Sequence, residues 1–291
     1  MNRYKEAKKV SIMGMIGNIF LFINKIIIGI ITNSQAMLAD AFNSASDIFS
    51  SIMTYIGNKI ASQAPDEDHD LGHGKAEYIY SMLISITMIL LSLSTLKNSI
   101  VSFYHPEQYQ YSIWLIIVCI ITITTKLILY IIANRIAKKH NNLLVKSNSV
   151  DHRNDILLTT LNLISVILSK YDYVYFDSIV GILISLWILK TGIEIFKESY
   201  DILMDKTLPN NIKEEVLSIV EKYPEIVKTN HFNATPVGYK YQISLTIFVD
   251  GNLSTFDSHD IANRLEEQII DEIEEIFLAV IHVNPIDVNH K

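Results

Sequence analysis

The chain has 291 residues, 49% of them hydrophobic, and a mean hydropathy of +0.27, too apolar for an ordinary soluble protein when the apolar residues come in long blocks. Its formal charge of −7 falls entirely after residue 205, where seven Lys and Arg face fourteen Asp and Glu, an acidic balance that excludes nucleic-acid binding. The single cysteine, Cys119, lies in an apolar run and excludes a disulfide framework and a cysteine-rich zinc site.

The N-terminus opens MNRYKEAKK and then runs apolar for about 22 residues. That is long for a signal-peptide core and lacks a small-residue cleavage site, so it reads as a retained first helix. Six segments are long enough for a bilayer core of about 30 Å: 10–32, 36–59, 77–102, 112–136, 145–169 and 175–198. Lys and Arg cluster before helix one, between helices two and three, between four and five, and after six, whereas the alternate loops hold only Lys170. The positive-inside rule therefore puts both termini in the cytoplasm. Tyr104, Tyr109, Tyr111 and Trp114, with Tyr171, Tyr173 and Tyr175, fit an aromatic belt at the outer interface. Of the lysines inside helices, Lys97 is placed to snorkel, while Lys25 and Lys126 are deeper, where pairing with carboxylates is expected.

Helix two, AMLADAFNSASDIFSSIM over 36–53, carries Asp40, Asn43 and Asp47 on one helical face. Each mid-membrane Asp costs roughly 2.5–3.5 kcal/mol on an insertion scale, so something must neutralise these oxygens. The loop that follows, PDEDHDLGHGKAE over 65–77, offers Asp66, His69 and His73 as metal ligands; a merely solvated acidic loop accounts for the same composition. Helix five repeats the pattern of helix two: Asp151 and Asp155 stand four apart ahead of ILLTTLNLISVIL. Asn43 with Asp47, and Asp151 with Asp155, each present two oxygen-bearing side chains one turn apart. Together they make one four-ligand cation site with three carboxylates, which in low dielectric must hold protons or a metal. Static pairing with Lys25, Lys126 or Arg153 is the competing account. An Asn and three Asp form an oxygen-only set, which suits Mn2+, Mg2+ or Ca2+ better than Zn2+. His152, one residue from Asp151, should face elsewhere and pack or bond backbone. Asp40 is open between an outer-vestibule carboxylate and a helix-start group.

After Asp205 the pattern changes. NNIKEEVLSIVEKY (210–223) is an amphipathic helix between Pro209 and Pro224. A strand is expected near Val227–Asn233, and YKYQISLTIFVD alternates with Tyr241, Ile243, Leu245, Ile247 and Val249 on one face. SHDIANRLEEQIIDEIEEIF (258–277) reads as a second helix and AVIHVNP (279–285) as a last strand. The order α-β-β-α-β predicts helices on one face of a three-stranded sheet. Its histidines, His231, His259 and His282, are by spacing alone ordinary surface residues. The domains expected are 1–205, a six-helix membrane transport domain, and 206–291, a small cytoplasmic α/β domain.

With these motifs in this order, the chain resembles the cation diffusion facilitators over nearly its whole length. ADAFNSASD is similar to the helix-two signature of that family, LGHGKAE to the loop signature, DHRND to the helix-five signature and LMDKTLP (203–209) to the membrane–tail junction. The resemblance implies a homodimeric proton-coupled exporter of divalent cations in a bacterial plasma membrane, with a metallochaperone-like tail for dimerisation and metal sensing. Its transport site falls on Asn43, Asp47, Asp151 and Asp155. Zinc-type members carry His at one or two of these positions, so the departure here points to Mn2+. The loop site, for Zn2+ or another divalent ion, falls on Asp66, His69 and His73, and a dimer-interface tail site on His231, His259 and His282. Asn284 replaces an expected Asp, and Ser244 or Thr246 an expected His, which weakens or alters the tail site. Lys75 and Asp205 match a pair that braces the dimer. The alternatives are a zinc or iron exporter of the same family and a membrane metal sensor without transport; no nucleophile–base pair suggests an enzyme.

Overall fold

The computed structural model describes residues 2–31, 35–105, 113–168 and 176–286, apart from the side chains of 2, 29, 31, 35–40, 42, 43, 165, 166, 176 and 177. The Asp40 and Asn43 side chains, Lys170, Tyr109, Tyr111, Tyr171, Tyr173 and Tyr175 therefore lie outside the described residues. Two compact units are present: Met1–Gln63 with Ala76–Tyr200, and Ala64–Lys75 with Asp201–Lys291.

The first unit holds six long helices: α1 (Asn2–Ile31), α2 (Gln35–Ala61), α3 (Ala76–Tyr104), α4 (Ile113–His140), α5 (Leu143–Leu168) and α6 (Phe176–Leu203). At 1.5 Å per residue each is on the order of 40 Å long, enough to cross a bilayer. Helices α1, α3, α4 and α6 are also apolar enough to do so by composition. Helices α2 and α5 match them in length and carry the Asp, Asn and Ser residues singled out above. The bundle is polar inside and apolar outside. On α1, Ser11, Asn18 and Lys25 are buried seven residues apart, while Ile16, Ile23 and Ile30 are exposed at the same spacing on another face. That inversion suits a lipid surround, where apolar side chains gain nothing by hiding and polar ones must find partners.

One buried knot joins four helices. Arg3 on α1 pairs with Glu77 on α3 (Nη1 to Oε2, 2.7 Å), and Arg3 Nε donates to the His140 carbonyl that ends α4 (3.1 Å). Glu77 Oε1 also accepts from the Leu143 backbone N–H that begins α5 (2.7 Å). Asn142 caps α5, its Oδ1 accepting from the Val145 N–H at 2.8 Å.

The second unit contains α7 (Asn210–Val220), β1 (Lys228–Val237), β2 (Lys240–Asp250), α8 (Thr255–Glu272) and β3 (Ile276–Ile286). The sheet order is β1-β2-β3, with β1 antiparallel and β3 parallel to β2. The parallel pair is joined through α8, as a crossover requires. Ile243, Leu245, Ile247 and Val249 of β2 bury their face against Ile212, Val216 and Ile219 of α7 and Ile261, Leu265 and Ile269 of α8. The expected helix over 258–277 is corrected at both ends. Ser254 Oγ caps the start, accepting from the Asp257 N–H at 3.1 Å. Ile273 turns extended (φ −115°, ψ 101°), so the chain enters β3 at Ile276. Residues 64–75 pack with this unit rather than with the helices. A Cβ on Gly74 would lie 2.9 Å from Gly238 Cα in the β1–β2 turn, where Gly238 has a φ of +67°. Lys75 Nζ meets Asp205 Oδ1 at 2.7 Å. This close approach and ion pair explain the attachment.

Candidate metal centre

In α2 and α5 the helical repeat places functional side chains one turn apart, and the packing of the two helices decides whether they meet. Oxygens of Asp47 on α2 and of Asp151 and Asp155 on α5 all lie within 4.8 Å of one another. Asp47 and Asp151 are buried and Asp155 is half-buried. Oδ2 of Asp151 has no hydrogen-bond partner among the described residues. A buried carboxylate oxygen without a partner is costly unless it serves an ion or a proton. Asn43 belongs to α2, one turn before Asp47, with its side chain outside the described set.

The cluster has a cationic neighbour from α4. Lys126 is 1% exposed, and its Nζ donates to Asp47 Oδ2 at 2.8 Å and to Asp155 Oδ2 at 2.5 Å. Of the two deep lysines, Lys126 thus meets carboxylates as expected, and Lys25 Nζ donates to Ser44 Oγ at 3.0 Å. Arg153 turns toward α6, its guanidinium 4.9 Å from the Trp187 ring centroid and its Nη2 3.4 Å from Thr191 Oγ1. His152 is buried, and neither ring nitrogen has a partner among the described residues; of the two expected roles, packing or a backbone bond, it takes the first.

Two contributors escaped the sequence reading. Asn18 on α1 donates through Nδ2 to the Asp47 carbonyl (2.9 Å) and to Ser51 Oγ (3.1 Å), pinning the turn of α2 that carries Asp47. Its signal was the buried seven-residue spacing of Ser11, Asn18 and Lys25 in an otherwise apolar helix. Glu77 was quoted only as part of a motif, although it is the acidic residue in the first turn of an apolar span.

The loop brings its three residues together as well: ligand atoms of Asp66, His69 and His73 lie within 4.8 Å of one another. Asp66 Oδ1 accepts from the backbone N–H of His69 (2.8 Å) and of Asp68 (3.1 Å). His69 Nδ1 lies 3.1 Å from that oxygen and His73 Nε2 3.3 Å from Asp66 Oδ2. Desolvation pushes the Asp66 carboxyl up. The side-chain and backbone hydrogen bonds from His69, the Asp68 amide and the charge of His73 outweigh it and hold the group below its usual range. In the tail, His231 (φ +50°) sits in the bulge between Asn230 and Asn233, His259 lies on α8 beside Asn263, and His282 stands opposite Thr246. All three are exposed, and within one chain they form no cluster among the described residues.

A family model described as the cation efflux transmembrane domain matches residues 11–204, and another described as the cytoplasmic domain of cation efflux proteins matches residues 208–286. The manganese efflux system protein MneP of Bacillus subtilis (strain 168) is 28% identical over 97% of this chain and 97% of its own length. The manganese efflux system protein MneS of the same organism is 28% identical over 99% of each. Among solved structures, the metal-bound C-terminal domain of the CzcD transporter from Thermotoga maritima is 25% identical, covering 28% of this chain and 93% of that one, with a TM-score of 0.26.

Proposed function

The chain belongs to the cation efflux family and is an integral-membrane divalent cation efflux transporter, and from that premise we propose that its cargo is Mn2+, exported by proton-coupled alternating access. The observation that carries the choice of metal is the ligand chemistry of the centre: three carboxylates converge, and one oxygen of Asp151 has no hydrogen-bond partner among the described residues. Asn43 is the fourth ligand, one helical turn from Asp47. Oxygen-only sets suit hard cations, whereas imidazole and thiolate favour Zn2+. The two relatives named as manganese efflux proteins support the same reading.

In this mechanism a cytoplasmic ion enters an inward-open site and displaces protons from the carboxylates. The helices then rearrange to expose it outside, where dilution of the metal and reprotonation reset the carrier. The protein works as a homodimer in a bacterial plasma membrane with both termini in the cytoplasm. The Asp66, His69 and His73 cluster holds Zn2+ or another divalent ion beside the tail, and His231, His259 and His282 contribute to metal sensing where two tails meet. Flux of Mn2+, Zn2+, Fe2+ and Co2+ into proteoliposomes under a pH gradient tests the choice. Mn2+ is expected to move fastest and to require the gradient; zinc flux without manganese flux would overturn it.

A further inference from the structure

Lys126 is the one cation seated among the described carboxylates of the centre. Its stem crosses from α4 so that one ammonium touches carboxylates on two other helices, Asp47 at 2.8 Å and Asp155 at 2.5 Å. Asp151 closes the third side with a buried oxygen that has no hydrogen-bond partner among the described residues. The amine thus stands among the same oxygens that the proposed function assigns to the cargo. We propose that Lys126 is a tethered counter-cation that competes with the cargo for Asp47 and Asp155, leaving when the metal binds and returning when it is released. The inference rests on the reading of the three aspartates as transport ligands.

Three observations support an exchange over a static bridge. A hard divalent ion draws its oxygens to roughly 2.0–2.6 Å, so on Asp47 Oδ2 and Asp155 Oδ2 it would stand close beside the ammonium that donates to both, and the two cations repel. The displaced amine also has somewhere to go. Helical side chains lean toward the N-terminus over the preceding turn, and there Thr122 carries a buried Oγ1 with no partner among the described residues. Finally, the bridge is undersized for the charge it faces: one ammonium carries a single charge and at most three donors, and Asp151 is left without a bond from it. A divalent ion would engage all three carboxylates. The tether therefore screens the empty cluster while lowering net affinity for metal, which favours release.

The test is Mn2+ binding to the full-length protein in detergent by titration calorimetry at fixed pH, alongside Mn2+ flux in proteoliposomes. Lys126→Gln removes the charge at similar length. It is expected to tighten the Kd by at least about tenfold, roughly 1.4 kcal/mol, with a lower KM and a lower maximal flux. Lys126→Arg keeps the competing charge and should hold the Kd within about threefold of the wild type, well short of the tenfold step that 1.4 kcal/mol represents. An unchanged or weaker Kd in a monodisperse Lys126→Gln protein overturns the proposal. Should that variant not yield monodisperse protein, Thr122→Val decides: weakened Mn2+ binding supports the exchange and unchanged binding refutes it. Asp155→Ala separates the two claims, because wild-type binding and flux in that variant would remove the ligand assignment itself, whatever Lys126 does.

Discussion

Inside a bilayer-spanning bundle a carboxylate needs a partner, and the aspartates of the centre show two solutions. Asp47 and Asp155 hold Lys126, whereas one oxygen of Asp151 has no hydrogen-bond partner among the described residues. A divalent ion about 3 Å from that ammonium would be repelled by roughly 10 kcal/mol even at an effective dielectric of about 20, so the two cations use the site in turn. Removing Asp155 takes away a ligand and half of the lysine's hold together. We expect Asp155→Ala to abolish Mn2+ flux while size-exclusion chromatography with light scattering still reports the dimer; normal flux would show that the ion binds elsewhere. The four-residue spacings that nominate Asp47, Asp151 and Asp155 are visible in the chain itself. The role of Lys126 was visible only as a cost, a buried charge needing some carboxylate, because nothing in residues near 126 says which helix will face it.

At the scale of elements, four helices are apolar enough among their described residues to be recognised by composition, and the three aspartates of the proposed transport site lie on the other two, α2 and α5. Polarity hides a spanning helix from hydropathy and at the same time marks it as the one that does the work. These helices must approach their neighbours closely, and Gly57 permits it: a Cβ there would lie 2.6 Å from Tyr80 Cβ on α3 and 2.9 Å from Leu144 Cδ2 on α5. Overpacking of this kind costs about 1–3 kcal/mol. Gly57→Ala should therefore lower the Tm of the detergent-solubilised protein, and an unchanged Tm would mean that α3 gives way easily. In the tail, periodicity found every helix and strand but misjudged both ends of α8, the C-terminal one by more. Ile273 and Ile276 continue the helical pattern of apolar residues, yet both are buried in the sheet–helix core, and that tertiary burial outweighs the local preference for helix.

At the scale of the molecule, the second unit exposes one sheet face. Ala279, Ile281 and Val283 of β3 turn to the helices, while Val280 and His282 alternate to the other side and are exposed. An exposed apolar residue beside a histidine fits the tail-to-tail contact of the proposed homodimer. Val280→Asp should shift the mass from twice 33.2 kDa toward a single chain with the circular dichroism unchanged; a retained dimer would place the contact elsewhere. Six helices, an acidic α/β tail, an oxygen-only ligand set and a histidine-bearing loop follow from the sequence by itself, since each rests on spacing within about one or two helical turns or on local composition. Tertiary structure alone decided that α2 and α5 bring their aspartates to one point, that Lys126 bridges two of them, that Arg3 locks onto Glu77, and that the loop joins the tail. Those contacts link residues 29 to 130 positions apart, or four helices at once. No local period encodes such pairings; burial of charge and close backbone approach select them only once the chain has packed.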